Sequence, residues 1–217
     1  MTRWGVLADI HGNRPALEQA LREFQQRGVE RIAVLGDNLG RGDSAGCVAL
    51  IREVADVSVL GNRDLDWQDR VDRATADYVL SLPRVALVDD LIFSHGDARL
   101  TRDLSSNDIR ADFKRARAWF AAQGHHGSSG EHGQRTWLFG HTHRARVWTL
   151  AQDGVPVLHF DAACDRLPAT IDLPAIASPA DLTILNAGSV GLPFPGKGPA
   201  SATVYDTAAR TVAFFPL

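Results

Sequence analysis

Seven side chains able to bind a metal stand in five short blocks of this chain. They are Asp9 and His11 in Asp9-Ile10-His11, Asp37 in Gly36-Asp37-Asn38, Asn62 in Gly61-Asn62-Arg63-Asp64, His95 in His95-Gly96-Asp97, and His141 and His143 in Gly140-His141-Thr142-His143. Each block ends an apolar run, so strands can deliver all seven donors to one edge of a sheet. Residues two apart on extended chain point the same way, which lets Asp9 and His11 face one ion and lets His141 and His143 reach neighbouring ions. Asp37, just past its strand, suits a bridging carboxylate. Asn62 offers a neutral oxygen that binds without cancelling charge. Seven such donors suffice for two divalent cations with a hydroxide between them. Two ions bring +4 and the carboxylates of Asp9 and Asp37 bring −2, so about +2 remains to attract a phosphate and to lower the pKa of a bridging water.

The elements that must carry these blocks are legible. Residues 3–8 read as a buried strand, and Asn13 caps a helix with Pro15 in its first turn, Ala16, Leu17, Ala20, Leu21 and Phe24 on one face, and Gly28 as the stop. Ile32–Leu35 is a second strand, and the short links predict a parallel strand–helix–strand unit. A helix over about Ser44–Val54 and a strand over Val57–Leu60 follow. Residues 66–82 read as a polar helical stretch covering the site. Val85–Val88 and Leu91–Phe93 form a hairpin around Asp89-Asp90, Asn107–Gln123 is a helix, and 124–135, with His125, His126 and His132, is a Gly/Ser-rich loop. Trp137–Phe139 leads to His141. Beyond it the pattern predicts antiparallel strands at Val147–Leu150, Val155–Phe160, Leu182–Leu185, Ala202–Tyr205 and Thr211–Phe215, with a Pro-rich link at 165–180. Alternating strands and helices followed by a run of strands predict two sheets face to face with helices outside. The whole of 1–217 is expected to form a single domain, with a helical cover over about 64–135.

Composition bounds the rest. The chain has 217 residues, 45% hydrophobic and 23% charged, with net charge −3 and pI near 6.2. A core of that size forms without staples. The acidic balance argues against broad binding to nucleic acid or to a membrane surface, and no apolar run approaches the roughly 20 residues of a membrane span. Two cysteines, Cys47 and Cys164, with no CxxC pair and no leader-like start, lead us to expect a cytoplasmic protein.

Taken in order, Asp-x-His, Gly-Asp, Gly-Asn, His-Gly and Gly-His-x-His resemble the calcineurin-like metallophosphoesterase superfamily. The opening Ala8-Asp9-Ile10-His11-Gly12-Asn13 is similar to that of its small bacterial phosphoesterases, and Asn186-Ala187-Gly188-Ser189-Val190-Gly191 resembles a stretch near their C-termini. The resemblance implies an α/β fold, a four-layer αββα sandwich of two mixed β-sheets flanked by helices. It implies Asp9, His11, Asp37 and His143 on one metal and Asp37, Asn62, His95 and His141 on the other, with Mn²⁺ first among Mn, Fe, Zn, Co and Ni for this mixed donor set. It also implies a metal-bridging hydroxide that attacks phosphorus, with catalytic duty for Asp37, Asn62 and His95, to which our own reading of the block adds Arg63.

The chain departs from that pattern in two linked places. Arg63 stands where the family commonly has a histidine that helps protonate the leaving oxygen, and Gly40 stands where protein phosphatases carry the aspartate that orients it. Arginine cannot give up a proton at neutral pH, but its fork can hold a phosphate oxygen. Arg63, Arg41 and Asn62 are therefore the substrate-contacting candidates. Losing general-acid help of ~10²–10⁴-fold should favour esters with good leaving groups. The leading expectation is a phosphodiesterase on small or nucleotide-like substrates. The alternatives are a phosphomonoesterase on protein or small-molecule phosphates, or a non-catalytic protein-binding scaffold of the same fold. A nuclease fits the acidic charge poorly, and oligomeric state is open. Asp64 reads as a turn residue or a partner of the ligands, His159 as a core histidine, and Gly188-Ser189 as a tight turn without chemistry.

Overall fold

A computed structural model of the chain describes residues 2–96, 114, 118, 135–150, 155–174, 182–193, 196 and 198–217. In chain order the elements are β1 (Arg3–Leu7), α1 (Arg14–Gln26), β2 (Arg31–Val34), α2 (Ser44–Val54), β3 (Val57–Ser58), α3 (Asn62–Trp67), a 3-10 turn at Gln68–Arg70, and α4 (Arg73–Ser81). The hairpin β4 (Val85–Val88) and β5 (Leu91–Ser94) follows. Then come β6 (Thr136–Phe139), β7 (Arg146–Leu150), β8 (Pro156–Asp161), β9 (Ala169–Asp172), β10 (Leu182–Asn186), β11 (Ser201–Asp206) and β12 (Thr211–Pro216). The helix expected at 107–123 and the loop at 124–135 lie outside the described residues, apart from Lys114, Ala118 and Arg135.

The strands form two mixed six-stranded sheets, ordered β3-β2-β1-β11-β12-β9 and β4-β5-β6-β10-β7-β8. β1 and β2 pair in parallel as the short α1 connection requires, and β5, β6 and β10 are parallel to one another. The expectation of purely antiparallel strands after His141 therefore needs one correction. β10 runs parallel to β6 on one side and antiparallel to β7 on the other. A second correction is β9, which lies in the stretch read as a link and pairs with the edge of β12. Ala169 and Ile171 on it pack against the core, an alternation masked by the neighbouring prolines.

Side-chain alternation explains the layering. From β1, Trp4, Val6 and Ala8 enter the core between the sheets, while Leu7 joins the cluster under α1 and α2 with Leu17, Ala20, Phe24, Cys47 and Ile51. In the second sheet Leu91, Phe93 and Leu138 face the shared core. Ile92, Trp137 and Phe139 form a separate buried cluster on the outer face with Trp148 and Ile184. Gly5 lets α1 lie close on β1, since a Cβ there would sit 2.5 Å from the Phe24 ring. Two mixed sheets with helices outside are the αββα sandwich expected of this sequence. His159 is corrected: it lies half-buried on edge strand β8, its Nε2 2.6 Å from Thr149 Oγ1, beside exposed Val157 and Leu158.

Candidate metal centre

All seven predicted donors come together where β1, β2, β3, β5 and β6 end. Asp9, His11, Asp37 and His143 bring one ligand atom each within 4.8 Å of one another. His143 Nε2 lies 3.1 Å from Asp9 Oδ1 and 3.4 Å from His11 Nε2, and His11 Nε2 is 3.8 Å from Asp37 Oδ2. The remaining donors gather on the other oxygen of Asp37. His95 Nε2 is 3.3 Å from Asp37 Oδ1, 3.0 Å from Asn62 Oδ1 and 3.2 Å from His141 Nδ1, which is 2.9 Å from the same Asn62 oxygen. Asp37 thus straddles two groups of donors, one on each carboxylate oxygen.

The route by which the donors converge differs from the one read in the sequence. β1 ends at Leu7, so Asp9 and His11 are not two steps on a pleated strand. Asp9, His11, Asp37, His141 and His143 all adopt left-handed backbone, with φ between 51° and 66°. Such φ values are uncommon for residues other than glycine, cost about 1–3 kcal/mol each, and cluster at functional sites. Alternating tight turns, rather than strand pleat, turn these side chains inward.

The donor set fits divalent cations. Among the described residues, Asp9 Oδ1 is fully buried and accepts no hydrogen bond, although Asp9 Oδ2 accepts the backbone N–H of His141 at 2.9 Å. His143 Nδ1 donates to the Leu192 carbonyl at 2.5 Å and His95 Nδ1 to the Leu35 carbonyl at 2.7 Å. Each neutral ring therefore turns a lone pair on Nε2 toward other acceptors. Only extra protons or cations can relieve that crowding. Donors at ~2.1 Å from one ion lie ~3 Å apart when at right angles, which is the spacing seen here. The same field raises proton affinity. Burial works against a charge on His95, but Asp37 and Asp9 outweigh it and push its pKa up to about 9. His143 is likewise raised, with burial opposed by Asp9, whereas burial dominates and lowers His11. Asp37 is held below the usual carboxylate range, since His95 and His11 more than offset its burial.

Around the donors stands a frame that sequence reading only partly found. Asp64 is fully buried; its carboxylate accepts N–H bonds from Asn38 (2.8 Å), Leu39 (2.9 Å) and Gly61 (3.0 Å) and so clamps the Asp37 loop to the Asn62 turn. Burial pushes its pKa up to about 6. Gly188-Ser189 does more than turn the chain. Ser189 Oγ donates to the Asp9 carbonyl and accepts from Leu192 N, and Asn186 Nδ2 donates to Gly140 O and Thr142 Oγ1. Nothing in the spacing of Asn186 to Gly191 shows which carbonyls the block holds. The substrate candidates sit farther out. The Arg63 N–H donates to Asp37 Oδ1 at 2.7 Å, while its exposed guanidinium pairs with Asp66 at 3.2 Å. Arg41 is exposed and makes no ion pair among the described residues. Gly40 is enforced by packing, since a Cβ there would lie 2.1 Å from the His11 carbonyl oxygen.

The chain aligns at 43% identity over 60 residues with an uncharacterized protein of Methanocaldococcus jannaschii, covering 27% of this chain and a quarter of that protein's length. Among solved structures, a metallophosphoesterase from Sphaerobacter thermophilus superposes with a TM-score of 0.75 at 24% identity, covering 99% of this chain and 88% of the other. An archaeal phosphodiesterase superposes at 0.51 and 14% identity, covering 99% of each. At such identities these likenesses speak to fold alone. The family model of the calcineurin-like phosphoesterase superfamily domain matches residues 2–210, and the chain belongs to that superfamily.

Proposed function

We propose that the protein is a dinuclear metal-dependent phosphoesterase, and within that class a phosphodiesterase acting on small or nucleotide-like esters. The observation that carries the reading is the buried Asp9 oxygen without a hydrogen-bond partner, facing imidazole lone pairs at cation spacing. Asp9, His11, Asp37 and His143 would hold one cation and Asp37, Asn62, His95 and His141 the other, with Mn²⁺ the first choice. When bound, such ions supply positive charge to the phosphoryl oxygens and acidify water. The chain's own part is to fix the donors, through Asp64 and Ser189, and to exclude competing ligands by burial. Arg63 and Arg41 stand at the rim, where a forked guanidinium can hold a phosphate oxygen. Neither can release a proton at neutral pH, which supports good leaving groups and diesters over alkyl monoesters. Likeness to an archaeal phosphodiesterase fold is compatible with that choice. No described helix is long and apolar enough to cross a membrane. Cys47 and Cys164 are both free thiols, which suits a reducing compartment, and on that ground we assign the activity to the cytoplasm.

The test is turnover of a bis-aryl phosphate beside the mono-aryl ester, using protein stripped with chelator and titrated with Mn²⁺. We expect hydrolysis to appear with metal and the diester to react faster. A strong monoester preference overturns the diester reading. Absence of metal-dependent turnover on either ester overturns the enzymatic one and leaves a binding scaffold of this fold.

A further inference from the structure

Arg144 follows His143 directly, and Arg146 opens β7; both converge on one carboxylate, Asp161, at the end of β8. Arg144 grips it with two prongs, Nε to Oδ1 and Nη2 to Oδ2, and Arg146 Nε adds a 2.9 Å bond to Oδ2. Asp161 and Arg146 are buried, whereas about a quarter (24%) of the Arg144 side chain remains exposed. Among the described residues, no oxygen accepts from Nη1 of Arg144 or from either Nη of Arg146, whose guanidinium carbon lies 5.5 Å from the Trp148 ring centre. Asp165 also stands here, its Oδ2 accepting the Asp161 N–H at 2.7 Å. Topology brings these two arginines to the sheet edge of the donors. β7 runs antiparallel to β10, and β10 parallel to β6, so the start of β7 and the end of β8 share the sheet edge at which His95, His141 and His143 emerge. Neighbouring Cα atoms are ~3.8 Å apart, so the backbone of Arg144 lies beside that of His143, a proposed ligand.

We infer that Arg144 and Arg146, organised by Asp161, form an anion subsite beside the metal centre that takes a second phosphate of the substrate. That phosphate would sit in a polyphosphate chain or on a neighbouring nucleotide. A guanidinium already locked by a bidentate carboxylate loses little rotamer freedom when it meets a further oxyanion, and its free prong has the planar geometry a phosphate needs. The inference rests on the phosphoesterase reading for its setting, but binding tests it separately.

The decisive measurement is calorimetric titration of the full-length, metal-loaded protein with tripolyphosphate and with inorganic phosphate, for the native chain and for Arg144→Ala and Arg144→Lys. Loss of a charge-assisted contact should weaken tripolyphosphate by about tenfold or more in Arg144→Ala and less in Arg144→Lys, with inorganic phosphate shifted less than about twofold. Repeating the titration with a 5′-phosphorylated dinucleotide identifies the source. An Arg144→Ala effect confined to tripolyphosphate marks a polyphosphate chain, and an effect on the dinucleotide marks a neighbouring nucleotide. Equal weakening of tripolyphosphate and inorganic phosphate, or none of either, overturns the subsite and leaves the arginines as a tie between β7 and β8. Bis-aryl phosphate turnover by the native chain, followed in parallel, reports separately on the phosphoesterase reading.

Discussion

At the scale of single residues, His95 carries the sharpest consequence. Its folded pKa, near 9 with no cation present, lies above the ordinary 6.5. A raised imidazole contributes stability that is complete below pH 6.5 and disappears as pH climbs through 9. His143 acts in the same sense and His11, lowered by burial, in the opposite one. Chelator-treated protein should therefore lose stability between about pH 6.5 and 9. Apparent Mn²⁺ affinity should rise over the same window, because the cation must displace the proton. Urea unfolding and metal titration at stepped pH check both trends, and flat curves would sink them. Arg63 offers a second test at this scale. Arg63→His restores a side chain able to donate a proton, and should raise turnover of esters with poor leaving groups while changing aryl diesters little. Equal rates for both variants would place the acid elsewhere.

At the scale of elements, the strands and helices up to Val57 were readable to within a residue or two, whereas α3 opens at Asn62, inside a block read for its donor, and a 3-10 turn parts it from α4. Asn13 and Pro15 are strong local signals, and Asn13 Oδ1 does accept the N–H of Ala16; Asp43 Oδ1, which the reading passed over, caps α2 in the same way through Gly46 N. β9 was not readable, because a four-residue edge strand among prolines has too little pattern to stand out. The seven donor positions were legible as types and order, but their conformation was not. Nothing in Asp9-Ile10-His11 announces a left-handed backbone, which here is imposed by tertiary bonds such as His11 N to Asp37 O and Gly191 N to Asp9 O. Gly191 must remain bare for this, since a Cβ would fall 1.7 Å from the Ile10 carbonyl oxygen. Ser189 is the polar pin of the same contact. Replacing it by alanine leaves the Leu192 N–H without its acceptor and should cost about 1–3 kcal/mol. The same change should also loosen metal binding, measurable by thermal melts and Mn²⁺ titration run side by side. A stability loss with unchanged metal affinity would show that Ser189 holds the fold and not the donors.

At the scale of the whole molecule, the two sheets meet over a core whose residues are interleaved with the donor loops. Phe93 is buried against Trp4 from the opposite sheet, with ring centroids 5.1 Å apart, and lies two positions before His95. Phe93→Ala should cost about 3–5 kcal/mol, read by urea denaturation, and should weaken metal binding through the displaced end of β5. A full-strength metal site in that variant would mean that the loop is fixed independently of its strand. Sandwich architecture was predictable from the switch between alternating and all-strand pattern. The parallel placement of β10 was not, because pairing between distant segments leaves no local mark.

One arrangement has a consequence for how the molecule holds together. Asp9, His11, Asp37 and Asn62 hang from the first sheet, while His95, His141 and His143 hang from the second. Ions shared between them would act as rivets through the seam. Loading and unloading would then govern whether the two halves breathe independently or as one body, so that mechanical cohesion and hydrolytic competence would be gained and lost together.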